Sequence, residues 1–407
     1  MSLQEAIDYL YSMLPMYQRV GKVAYKKDLT NTLALLQSID NPHKKFKCVH
    51  IAGTNGKGTS AHGIAAILQS AGFKTGLYTS PHLKRFTERI KIDGEEITDE
   101  FVTRFVEENK HVFSTVHPSF FEVTVAMAFH YFADQGVDIA VIETGLGGRL
   151  DSTNVITPEV SLITNIGLDH TDLLGETLPE IAVEKAGIIK REVPVVIGNY
   201  QEEVIQVFKD KAENEQAELT LAEAHFTVPK LPDLFPDYFK KNVPGMLAVV
   251  HELGKKGFYI GQDQIAIALA NVGRLTGLKG RFQILQEDPL LIADVSHNQE
   301  GLRILLNQVE RINKGKLHLI FGTVKDKNID HILSTLPKHA HYYWSQSSVP
   351  RSLEATQLKI QGSHHDLKGN VFNDVNEAME QARAKAHERD LILITGSTFL
   401  ISEIAVL

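Results

Sequence analysis

The chain has 407 residues, 43% of them hydrophobic and 23% charged, the balance of an ordinary globular protein with length for two or three domains. A net charge of −8 with no basic block argues against a nucleic-acid partner, while free nucleotides accompanied by Mg2+ remain compatible with it. The single cysteine, Cys48, excludes an intrachain disulfide or a cysteine-built metal site and suits a reducing cytoplasm; no apolar run reaches membrane-spanning length, and an N-terminus carrying Glu5 and Asp8 does not read as a signal peptide.

Residues 3–14 read as a short helix ended by Pro15, Tyr17 to Lys27 as a loop, and Leu29 to Ile39 as a second helix closed by the Asn41-Pro42 turn. The β-branched run Cys48 to Ala52 then reads as a strand. It ends in Gly53-Thr54-Asn55-Gly56-Lys57-Gly58-Thr59-Ser60, and a helical pattern (Ile64, Ile67, Leu68, Ala71) carries on to Gly72. Strand, glycine loop and helix form the setting in which backbone N–H groups cradle phosphates, Lys57 reaches the terminal ones and a hydroxyl of Thr59 or Ser60 approaches Mg2+. The match to the P-loop pattern is incomplete, since Ile51 stands at the first glycine and Gly58 where a hydroxyl follows the lysine. A plain strand-to-helix turn with a solvated lysine is the competing reading.

Thr75 to Thr79 is the next short strand, leading into Ser80-Pro81-His82-Leu83. A hairpin follows, in which Lys84, Arg85, Arg89 and Lys91 face either a substrate anion or solvent. Ser119 to Phe132 is apolar on most faces and reads as a buried helix. Asp138 to Thr144 has the continuous apolar run of a buried parallel strand and ends at Glu143 beside Gly145-Leu146-Gly147-Gly148-Arg149-Leu150-Asp151. A carboxylate at that strand end is placed to hold Mg2+, or else to pair with Arg149. Val160 to Asn165 is a further strand, followed by Asp169 and His170. A helix begins near Leu178 and contains Glu184-Lys185-Ala186, and Val193 to Ile197 is the next strand.

Residues 200–280 are more helical and polar, with an irregular proline-rich stretch from Phe226 to Pro236. Alternation then restarts, with strands expected at Leu290–Val295, Leu317–Phe321, His341–Trp344 and Leu391–Thr395 and helices at Glu300–Ile312, Ile329–Leu336 and Val375–His387. The expected fold is therefore α/β: a P-loop-containing, doubly wound, mostly parallel sheet domain over 1–280, then a smaller Rossmann-like α/β domain over 281–407, with a site in the cleft between them. The chemistry open to such a chain spans kinases, nucleotide switches and ATP-dependent ligases. The protein-kinase signatures are missing, and two lobes with a polar loop at Asp294-Val295-Ser296-His297-Asn298 favour an ATP-using transferase or ligase that excludes water.

Taken together, GTNGKGTS, TSPHL, ETGLGGRLDSTN, LDHTDLLG, EKAGI, GRFQ and DVSHN resemble, in order and spacing, the folylpolyglutamate synthase and dihydrofolate synthase family of the Mur ligase superfamily. Gly58 after the lysine is the form that family uses. The resemblance implies an ATP-dependent joining of L-glutamate to dihydropteroate and to reduced folates through an acyl phosphate. It implies phosphate contacts from Asn55, Gly56, Lys57, Gly58 and Thr59, and Mg2+ ligation by Ser80 and Glu143, with His170 and Glu143 on a second ion. It further implies catalytic roles for Lys57, for Lys185, which is often carbamylated in these enzymes, and for His297. Nucleotide contacts fall on Asn242, Arg281 and Asp294, and dihydropteroate contacts on Ser119, Phe120, Phe121, Glu122, Leu150, Asp151 and Ser152. A monomer working in the cytoplasm is expected. The stretch before Asn242 is shorter than the family's, Gln299 stands where a proline commonly follows Asn298, and about 45 residues before the first strand leave no room for the extra N-terminal domain of cell-wall Mur ligases. A single-activity folylpolyglutamate synthase, a superfamily amide ligase acting on another acid, or a module that only holds nucleotide are the alternatives.

Overall fold

The computed structural model describes residues 1–14, 28–232, 234–325 and 329–407, so the expected loop from Tyr17 to Lys27 lies outside the described residues. The chain divides into two compact units, Met1–Asp233 with Phe239–Gly277, and Leu234–Tyr238 with Leu278–Leu407.

The first unit is built on eight strands, β1 (Cys48–Ala52), β2 (Thr75–Tyr78), β3 (Ile90–Ile92), β4 (Glu95–Glu96), β5 (Ile139–Glu143), β6 (Val160–Ile163), β7 (Val195–Ile197) and β8 (Leu219–Leu221), in the order β4-β3-β2-β5-β1-β6-β7-β8. β1 lies at the centre because all five of its residues are buried on both faces, and it pairs in parallel with β5 and β6 through Val49 opposite Val141 and Val160. The chain leaves β1 toward β2 on one side and later crosses to β6 on the other, so the strand order reverses at β1. The loops following β1, β5 and β6 open at that switch point. Only β3 runs against the rest, antiparallel to β2 on one side and to β4 on the other, and it is joined to β4 by a two-residue turn at Asp93-Gly94, both at positive φ, which matches the strand twist.

The helix Phe120–Asp134 is buried on nearly every side, as its composition predicts, and starts from a capping box between Ser119 and Glu122. A helix that the sequence reading leaves unassigned, Asp99–Val116, packs against Leu3–Met13, and its Phe101 and Phe105 rings lie on His130 of the helix Phe120–Asp134. Its signals are local: Thr98 caps it at Phe101 N, and Asp99 and Glu100 lie in the first turn, where the helix dipole favours negative charge.

The second unit carries β9 (Gln283–Glu287), β10 (Leu290–Ala293), β11 (Leu317–Phe321), β12 (His341–Trp344), β13 (Gly369–Val371) and β14 (Leu391–Thr395), ordered β13-β12-β11-β14-β10-β9, parallel except for β9. β11, β12 and β14 coincide with the expected strands. The edge strands β9 and β13 and the helix Ala355–Ser363 were not expected, and β8 at the edge of the first sheet falls in a region read as helical. Trp344 is fully buried and stacks on Tyr342 with ring centroids 4.7 Å apart. The short segment Leu234–Tyr238 belongs to this unit through Gln308, whose amide accepts from Asp237 N at 2.7 Å and donates to Phe235 O at 3.1 Å, and through Arg311 Nη2 to Asp237 Oδ2 at 2.6 Å. No helix among the described residues is long and apolar enough to cross a membrane.

Candidate active site

At the switch point of the first sheet the glycine loop turns into the helix Lys57–Ser70, with Gly56 as N-cap at φ +81. A side chain at Gly56 is excluded twice: by that backbone angle, and because a Cβ would lie 2.5 Å from Asn242 Nδ2. The structure thus brings Asn242, buried on the helix Asp237–Lys255, directly against the loop. Two threonine and asparagine contacts from the end of β6 brace the same loop. Asn165 Oδ1 accepts from Asn55 N at 2.8 Å, and Thr164 Oγ1 donates to Asn55 O at 2.6 Å. The sequence places Thr164 and Asn165 only in a strand; two polar side chains closing a buried apolar run are the signal it offers.

Lys57 folds back so that Nζ donates to Gly53 O at 3.0 Å and Thr54 O at 3.2 Å. Lys185, 3% exposed near the end of the helix Leu178–Ala186, donates to the same Gly53 oxygen at 2.9 Å. Burial, and then the neighbouring Lys57 charge, push the Lys185 pKa down to about 7, against the pull of Asp169, Asp151 and Glu184. An amine half-neutral at physiological pH is a nucleophile that an ordinary surface lysine is not.

Glu143 is buried at the end of β5. Its Oε2 accepts from Ser80 N at 3.2 Å and would lie 3.3 Å from a Cβ at Gly58. This contact bears on the departure from the P-loop pattern: the position that usually carries a hydroxyl abuts a carboxylate, which would have to give by a few tenths of an ångström to admit a side chain. Thr59, in the first turn of the helix, is buried. His170 is exposed, at φ +50, and N-caps the short helix Thr171–Leu174. Among the described residues no three His, Cys, Asp or Glu side chains converge on one point. A single buried carboxylate beside a serine fits Mg2+, which takes one or two protein oxygens and completes its shell with water and phosphate.

The loop after β5 is fastened to the Lys185 helix: Arg149 N donates to Glu184 O at 2.7 Å and Arg149 Nη2 to Glu184 Oε1 at 2.7 Å. Asp151 is buried, and its carboxylate accepts from Leu146 N at 2.7 Å and Thr153 N at 3.0 Å; Leu150 and Ser152 on either side are half-buried. Ser119 and Glu122 close their own capping box at 2.6 and 3.2 Å, with Glu122 also accepting from Thr32 Oγ1 at 3.3 Å, and Phe120 lies in the core. Phe121 is the member of that group that reaches the β5 loop, its ring lying where a Cβ on Gly145 would be 2.3 Å away. Of the hairpin's basic residues, Lys91 donates to Thr276 O at 2.8 Å. Arg89 is buried over the Phe120 ring and donates to His82 Nδ1 at 2.7 Å, and burial together with that guanidinium pushes the His82 pKa down to about 3. Arg85 pairs with Glu96 and Asp99, and Lys84 is exposed.

Models of two domains match the chain, the Mur ligase middle domain over residues 51–225 and the Mur ligase glutamate ligase domain over 280–398. The dihydrofolate synthase/folylpolyglutamate synthase of Bacillus subtilis (strain 168) is 32% identical over 415 residues, covering 94% of this chain and 95% of its own. This chain belongs to the folylpolyglutamate synthase/dihydrofolate synthase family of Mur ligases. Among solved structures, a bifunctional folylpolyglutamate synthase/dihydrofolate synthase with Mn, AMPPNP and L-glutamate bound superimposes with a TM-score of 0.84 at 30% identity, over 99% of this chain and 97% of that one. E. coli FolC in complex with DHPP and ADP does so with a TM-score of 0.83 at 29% identity, over 99% and 96%.

In the second unit of this Mur ligase, Asp294 follows β10 and is fully buried. Its Oδ2 accepts from Tyr238 OH and Phe282 N, both at 2.7 Å, and its Oδ1 from Ser296 N at 2.8 Å. Arg281 is half-buried beside it in the chain that enters β9, and its charge acts on the Tyr238 hydroxyl, whose pKa burial raises. His297 Nδ1 lies 3.0 Å from Val295 O, which places its proton on Nδ1, and Asn298 caps the helix Gln299–Ile312.

Proposed function

We propose that this ligase joins the amino group of L-glutamate to the carboxylate of dihydropteroate and to the glutamate carboxylate of reduced folates, at the expense of ATP. The observation that carries the reading is the meeting of Lys57 and Lys185 on the Gly53 carbonyl at the switch point, with Glu143 buried against Gly58 and Ser80. Asn55 through its side chain, the backbone N–H groups of Gly56 to Thr59 and the Lys57 ammonium hold the phosphates of ATP. The acid's carboxylate oxygen attacks the γ-phosphorus and ADP leaves. The glutamate amine then attacks the acyl carbon, the C–O bond to phosphate breaks, and the amine proton is released, giving amide, ADP and phosphate. In both steps negative charge grows near fixed N–H donors and the Lys57 ammonium, which is where preorganised electrostatics lower a barrier. Ser80 and Glu143 would hold one Mg2+, and Glu143 with His170 a second; bound there, Mg2+ would neutralise phosphate charge.

Lys185 is carbamylated in the working enzyme. Its depressed pKa supports this, because only the neutral amine adds CO2, and the product replaces a cation by an anionic oxygen donor. A carbamate signal after 13C-bicarbonate labelling, missing in Lys185→Met, is the expected result. Asn242, Arg281 and Asp294 are assigned to the nucleotide and His297 to phosphate. Phe121 together with Leu150–Ser152 takes the acid. Residues 1–280 serve ATP and the acid, and 281–407 serve glutamate. The enzyme acts as a monomer in the cytoplasm. The decisive experiment measures ADP release with Mg2+-ATP and glutamate, offering dihydropteroate, a reduced folate or no acceptor. Turnover with both acceptors is expected; stimulation by neither, in protein that binds ATP, would overturn the folate assignment.

A further inference from the structure

A buried line of hydrogen bonds runs from the centre of the first sheet to the loop after β5. His50 lies on β1 with no exposed surface, and its Nε2 is 2.8 Å from Thr153 Oγ1. Thr153 Oγ1 in turn donates to Asp151 Oδ1 at 2.5 Å. Burial raises the Asp151 pKa, but its two oxygens face the N–H groups of Leu146 and Thr153, donors that call for an acceptor, so the threonine proton is committed to Asp151 and the hydroxyl oxygen accepts from His50. That direction places the imidazole proton on Nε2 and leaves Nδ1, which has no hydrogen-bond partner among the described residues, as the bare nitrogen. Burial drives the His50 pKa down to about 3, so the ring is neutral whenever the enzyme works.

Asp151 also accepts the N–H groups of Leu146, at 2.7 Å, and of Thr153, at 3.0 Å, and a further one from Gly145. The segment from Gly145 to Thr153 is thereby closed around one carboxylate. Asn154 Nδ2 donates to Arg149 O and to Gly187 O, each at 3.0 Å, and Gly187 caps the helix that carries Lys185 to the Gly53 carbonyl. The loop is held from the sheet by His50 and Thr153, and from the side by Asn154.

We propose that His50 and Thr153 are positioning residues that fix the acid-binding segment Leu150–Ser152 against the phosphate loop. Neither touches substrate; they act through Asp151. The identity of the acid rests on the folate reading above, whereas the ordering of the loop does not.

Thr153→Val removes the hydroxyl and keeps the branched volume, and Thr153→Ser restores the hydroxyl. The valine variant is expected to raise KM for dihydropteroate about tenfold while kcat and KM for ATP stay within about twofold, with the serine variant close to wild type. Amide exchange at Leu146 is expected to accelerate about tenfold in the valine variant only. Unchanged Leu146 protection, or a KM for ATP that rises in step with that for the acid, would overturn the proposal. If wild-type protein does not turn over dihydropteroate, the folate reading fails while the exchange comparison still decides the relay. If the valine variant does not fold, 15N spectra of His50 in the wild type decide it: a proton on Nε2 is expected, and one on Nδ1 refutes the relay.

Discussion

Gly53 offers one carbonyl oxygen to two ammonium groups, and the consequences fall on Lys185, the more buried of the pair. Its folded pKa of about 7 lies below the ordinary lysine value, so between roughly pH 7 and 10.5 the unfolded chain binds a proton that the folded one does not. Stability contributed by this site therefore rises with pH across that window. In CO2-free buffer, wild type should gain on Lys185→Met by up to about 1.4 kcal/mol per pH unit above pH 7, read from denaturant titrations. A constant gap would show that the lysine is not held near neutrality.

Lys57→Ala and Glu143→Ala should each lower turnover by at least about 100-fold with unchanged far-UV circular dichroism, because each removes a charge from the reacting centre. Gly58→Ser restores the usual P-loop residue but drives its Cβ to 3.3 Å from the Glu143 carboxylate. A loss of activity of about tenfold or more, with a melting temperature within about 2 °C of wild type, is expected from this displacement. Full activity would mean that Glu143 has room to move.

Among the elements, the helix Phe120–Asp134 separates two roles within one stretch of sequence. Ser119→Ala should cost about 1 kcal/mol of stability through the lost cap and leave KM for the acid nearly unchanged. Phe121→Ala should instead raise that KM several-fold. The central strands were legible because β1, β5, β11 and β14 are buried on both faces and read as unbroken apolar runs. The edge strands β8 and β13 are short and only half-buried, so Leu219-Thr220-Leu221 and Gly369-Asn370-Val371 leave little trace in composition. Of the candidate site, Lys57, Glu143 and Lys185 could be singled out because charge at the end of an apolar run or inside a helix stands out. Thr164, Asn165, His50 and Thr153 could not, since neutral polar groups satisfied within the fold look like any others until their partners, up to 112 positions away, are known.

At the scale of the molecule, the only tryptophan, Trp344, lies in the core of the second unit, so its fluorescence follows that unit's unfolding. Tyr238→Phe removes one of the three hydrogen bonds on the buried Asp294 carboxylate. It should shift the fluorescence-detected transition by about 1.5–3 kcal/mol. No shift would show that the tyrosine hydroxyl bonds elsewhere.

The segment Leu234–Tyr238 has a practical corollary for recombination. The chain enters the second unit for these residues, returns to the first at Phe239 and leaves it finally after Gly277. A single crossover at residue 278 between two relatives would therefore yield a hybrid whose buried Gln308 faces a foreign segment in place of Phe235 and Asp237. Shuffled libraries of such ligases should recover active hybrids chiefly from parents that match over 234–238, and inheritance of that short stretch should track the C-terminal parent.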